Sequence, residues 1–144
     1  MQTGRILKTG LAVGVVANVY DFVTNTYVFP MIAPMPAFMR DMASVSIPWL
    51  VVGDFVAALV LVWFFDKVRA SFGPGAKGGA TFGLYAGILM NYPLWHFVFL
   101  LFRDVQYADA WKFTAMGIVW AVIMGAVAGA VWDKTGGAEA KAAG

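Results

Sequence analysis

The chain is predicted to be an all-α protein, a bundle of four membrane-spanning helices, and two observations predict it. Of the 144 residues, 61% are hydrophobic and only 12% charged, with a mean hydropathy of +0.75. A soluble domain of this size needs more charge to cover its surface. The apolar residues also gather into four segments, residues 6–29, 47–65, 79–102 and 111–132. Each is close to the ~20 residues that cross ~30 Å of hydrocarbon as a helix. No strand is apparent. Residues 1–135 form one transmembrane domain, and residues 136–144, small and polar, form a flexible tail.

The first segment follows Arg5 and Lys8, as a signal peptide would. Its apolar run is too long, holds Asn18 and Asp21, and is followed by no small-residue cleavage site. It is therefore a retained helix. Pro30, Pro34 and Pro36 stop that helix and open the longest connection, whose later half, with Phe38, Met39, Arg40 and Asp41, suits a short helix lying at the interface. Ser46 and Pro48 are a start signal for the second helix. Residues 70–79, rich in glycine, read as a turn-forming linker before the third. Lysine and arginine divide seven to three in favour of the side that holds both termini, which places the termini in the cytoplasm of a multi-pass inner-membrane protein. Tyr27, Trp49, Tyr107 and Trp111 mark the outer interface, and Trp63 and Trp132 the inner one.

Small residues recur at helical spacing. Gly10, Gly14 and Asn18 in the first helix are matched by Gly83, Gly87 and Asn91 in the third, a pattern suggesting two duplicated hairpins related by a twofold axis along the membrane normal. Gly117, Ala121, Gly125 and Gly129 make a stripe at four-residue spacing on the fourth helix. Such stripes let helix backbones approach closely, within the bundle or in a homo-oligomer.

The polar residues inside the segments carry the functional expectation. Gly10, Gly14, Asn18, Asp21 and Asn25 follow steps of 4, 4, 3 and 4, which places them on one helix face. At ~1.5 Å per residue, Asp21 lies about 12 Å below Phe29 and Asp54 about 10 Å below Ile47, so the two carboxyl groups share a depth. Asn91 and His96 lie in the same half of the bundle, about 16 Å and 9 Å from Phe102. Ionisable residues at depth mark functional sites. The candidate binding cluster is therefore Asp21, Asp54, Asn18, Asn25, Asn91 and His96, with the asparagines also able to serve as interhelical glue and His96 also able to reach the outer interface.

Other chemistries are excluded or weakly supported. The chain has no cysteine and one histidine, which removes thiolate sites and the usual zinc and haem ligand sets. Its formal net charge of +2 and scattered basic residues do not suit nucleic acid. No nucleophile triad, phosphate loop or cofactor motif is present, so neither an enzyme nor a cofactor is expected. Met31, Met35, Met39 and Met42 are spaced at 4, 4 and 3 and offer soft thioethers for a copper(I) ion, but prolines interrupt them and methionine is an ordinary lipid-facing residue.

The first helix with Asn18-Val-Tyr20-Asp21, the stretch Gly83-Leu-Tyr-Ala-Gly-Ile-Leu-Met-Asn91, and Trp111-Lys-Phe with Trp120 and Met124-Gly125-Ala-Val-Ala-Gly129 resemble the small four-helix bacterial membrane proteins grouped as a domain of unknown function. That resemblance implies the architecture and no activity. The expectation from the residues is passage or binding of a small cation or proton-linked solute at the intramembrane cluster. The alternative is an accessory subunit of a larger membrane complex.

Overall fold

The computed structural model describes residues 2–32, 45–103 and 105–142. Among these, α1 (Gln2–Val23) continues through a π-helical turn (Thr24–Val28) and a last α-helical turn (Phe29–Ile32). Helix α2 (Ile47–Val68) closes in a 3-10 turn (Arg69–Ser71), and α3 (Gly75–Leu101) and α4 (Tyr107–Ala142) follow. All four rods are long and apolar enough to cross a membrane. The protein is an all-α four-helix bundle, the one-segment solution to satisfying backbone groups in lipid.

The helices outrun their hydropathic limits. Pro30 does not stop the first rod, which continues through it to Ile32, the last described residue of that stretch. A proline inside an α-helix presses its ring on the carbonyl four residues back, here Thr26. The rod widens into a π turn at that point, with the Phe29 N–H reaching the Thr24 carbonyl, so the clash is relieved without ending the helix. The residues from Pro34 to Met42, including the proposed interfacial helix and Met35, Met39 and Met42, lie outside the described residues. Ser46 and Pro48 do start α2, the Ser46 carbonyl accepting from Trp49 and Leu50 N–H. The expected linker over residues 70–79 is shorter than its glycine content suggests. Gly73 and Gly75, at φ +82° and +70°, make the reversal, and Gly78 and Gly79 are already inside α3.

Across the bundle the order is α2, α1, α4, α3. The α3–α4 seam is the tightest, because glycines bring the backbones together: a Cβ on Gly83 would run into the Ala121 carbonyl, and one on Gly125 into the Gly79 carbonyl. In the α1–α2 seam the glycines instead receive side chains, Leu59 against Gly10 and Phe55 against Gly14. The matched asparagines behave alike, Asn18 Nδ2 donating to the Gly14 carbonyl at 2.9 Å and Asn91 Nδ2 to the Gly87 carbonyl at 3.0 Å. The two hairpins are nevertheless packed unevenly. Helix α1 lies along α4, whereas its twofold counterpart, α2 on α3, is a small contact carried by Phe64 and Phe65 against Phe82, with ring centroids 5.8 and 5.2 Å apart. The stripe from Gly117 to Gly129 faces α3 of the same chain, so any association with a further copy has to use other surfaces.

Trp132 ties the end of the bundle where α1 begins. Expected at the inner interface, it is instead 1% exposed and part of a core with Val13, Val62, Phe65, Phe82 and Met124. The Arg5 guanidinium donates to the Trp132 carbonyl and to Thr135 Oγ1, and its carbon lies 4.4 Å from the indole centroid. The Gly75 N–H donates to Asp133 Oδ2 at 2.6 Å, which holds the start of α3 against α4.

Because backbone cannot move aside as a side chain can, Gly83→Ala is expected to lower stability by roughly 1–3 kcal/mol. Gly53, which has nothing within 4 Å of a Cβ, should accept alanine with no loss. Thermal unfolding of the two variants in detergent checks the difference.

Candidate intramembrane binding site

The buried face of α1, formed by Gly10, Val13, Gly14 and Ala17, leads directly to Asp21 one turn further on. Small residues draw α2 close, and the Asp21 carboxyl lies within interaction range of the Asp54 carboxyl across that seam and of the Trp120 indole from α4. Both acids are half-buried. One residue earlier, the Tyr20 hydroxyl donates to the Met116 carbonyl at 3.0 Å, fixing α1 on α4 at this level. Two carboxylates in contact repel strongly if both are ionised; one proton or one bound cation removes the repulsion.

Asp21 also borders a cavity of about 250 Å³ between the first rod, α3 and α4. Asn91 and Trp95 of α3, Phe113, Met116 and Trp120 of α4, and Phe29 of the first rod line it. Its position follows from the seams. The glycine contact between α3 and α4 ends at Gly87, and one turn on the Asn91 side chain is pressed against Gly117, so the helices no longer touch backbone to backbone there. On the other wall the π turn rearranges the first rod. Thr24 Oγ1 donates to the Tyr20 carbonyl at 2.9 Å and Asn25 Nδ2 to the Asp21 carbonyl at 2.8 Å, serving carbonyls where the regular ladder changes register.

The expected cluster is therefore assembled in part. Asp21 and Asp54 meet, and Asn91 lines the same cavity as Asp21. Asn18 and Asn25 do not join them, since each amide donates to a carbonyl of its own helix, and Asn25 is exposed because the shared face ends where the π turn begins. His96 belongs to a separate aromatic group: its ring lies 4.2 Å from that of Tyr92 and 4.8 Å from that of Trp111, and Nδ1 sits 2.7 Å from the Tyr92 carbonyl. Met31 is 80% exposed. Sequence reasoning missed Tyr20, Trp95, Phe113 and Trp120. A signal for three of the cavity residues was present, since Phe113, Met116 and Trp120 follow steps of 3 and 4 beside the Gly117–Ala121 stripe.

Compared with known proteins, the chain matches no family model, no curated protein and no solved structure.

Tyr20→Phe is expected to reduce thermal stability in detergent by about 0.5–1.5 kcal/mol, the net worth of one neutral hydrogen bond. Equal melting of parent and variant would show that the Met116 contact does not hold α1 on α4.

Proposed function

We propose that the protein is a multi-pass protein of a cytoplasmic membrane, both termini inside, that binds or passes a small cation or a proton-linked solute without catalysing a reaction. The observation that carries this reading is the Asp21 carboxyl: it is half-buried within a membrane-spanning rod, paired with Asp54, and open to a cavity. A carboxyl at depth costs on the order of 2.5–3.5 kcal/mol to insert, and packing needs no such group. A proton shared with Asp54, with the Trp120 indole close by, neutralises the pair when the cavity is empty. A cation entering beside Asp21 replaces the proton as the group that neutralises the pair, which couples solute to proton.

The test is flux in liposomes. The parent protein should support a pH-dependent cation or proton flux, Asp21→Asn should abolish it, and Asp54→Asn should alter its pH dependence. No flux in the parent, or equal flux after both replacements, overturns the reading.

A further inference from the structure

The chemistry of the cavity walls narrows the solute. Resting on the reading of Asp21 as a solute-binding carboxyl, we infer that the cavity takes a small organic ammonium ion rather than a metal cation. The polar groups bordering it leave acceptors free. The Tyr20 and Thr24 hydroxyls donate to backbone carbonyls, the Asn91 amide N–H₂ donates to the Gly87 carbonyl, and the Trp120 indole lies within interaction range of Asp21. Apart from the Trp95 indole, what remains uncommitted is the carboxyl oxygen of Asp21, the Asn91 side-chain oxygen being packed against Gly117. A ligand that matches such a lining brings positive charge or N–H donors, not acceptors.

The rest of the wall is aromatic. Trp95 is stacked on Phe113 at 4.4 Å with an interplanar angle of 22°, and Phe29 lies 5.2 Å from the same Phe113 ring. Aromatic rings attract a weakly hydrated organic cation through their quadrupoles and suit its alkyl groups. They offer nothing to a hard cation, which takes about six oxygen ligands or keeps its water shell. Among the described residues no group of three or more His, Cys, Asp or Glu side chains comes together to supply such ligands. Size agrees, since about 250 Å³ exceeds the roughly 150 Å³ that admits a benzene ring. A single-ring or short-chain ammonium fits that volume.

The probe is phenyltrimethylammonium, titrated into the purified full-length chain in detergent by calorimetry, with potassium and magnesium chloride at matched ionic strength. Saturable binding is expected. Trp95→Leu should weaken it about tenfold, Asp21→Asn should remove it, and Asp21→Glu, which keeps the charge, should retain it. The inference is overturned if the probe does not bind, if potassium or magnesium displaces it equally well, or if binding survives Asp21→Asn undiminished. Absence of probe binding alongside an Asp21-dependent flux in liposomes rejects the ammonium alone. Absence of both rejects the binding-site reading as well.

Discussion

A carboxyl group inside hydrocarbon has to be answered by protein, and the arrangement of this bundle around Asp21 follows from that requirement. Hydrocarbon cannot solvate it, so it must turn to neighbouring helices and to the cavity they enclose. Asp54 arrives from α2 and the Trp120 indole from α4, which makes α1 the middle helix, in contact with both. Tyr20, the neighbour of Asp21, adds a hydrogen bond to the α4 backbone. The polar contacts and the helix order α2, α1, α4, α3 are two descriptions of the same constraint.

The close approach that brings these groups together cannot come from the hydrophobic effect, because lipid tails are as apolar as the helix surfaces. It comes from glycine. On α3 and α4 the glycines meet backbone to backbone and form a rigid pair; on α1 they make sockets for Leu59 and Phe55 of α2. The cavity lies where the glycine contact gives way to Asn91 against Gly117 and to the aromatic rings around Phe113. At the opposite end Trp132, held by Arg5, is buried in the core. The bundle thus packs a buried indole at one end and carries a cavity near its carboxyl pair.

How much of this was legible in the sequence follows from the period of the helix. Residues 6–29, 47–65, 79–102 and 111–132 announced the four spans, and equal depth brought Asp21 and Asp54 together because depth depends only on rise per residue. Faces were less secure. The steps that place Asn25 beside Asp21 assume an unbroken 3.6-residue turn, and the π turn before Pro30 breaks it. The asparagine amides were misjudged for a related reason: a carbonyl of the preceding turn is always within reach, so Asn18 and Asn91 bond within their own helices. His96 has the right depth but the wrong side, and depth cannot distinguish sides. The aromatic wall was hidden because tryptophan and phenylalanine are equally common facing lipid.

The central claim is that position 21 faces a water-accessible cavity within the membrane, while Phe22 beside it faces lipid. The chain has no cysteine, so single cysteines at positions 21 and 22 can be compared for reaction with a small cationic methanethiosulfonate in lipid vesicles. Thiolate is the reactive form, and hydrocarbon suppresses it. Cysteine at position 21 should react, whereas cysteine in place of Phe22, 63% exposed on the bundle's outer surface, should remain inert. An unreactive position 21, or equal reaction at both positions, would contradict the account.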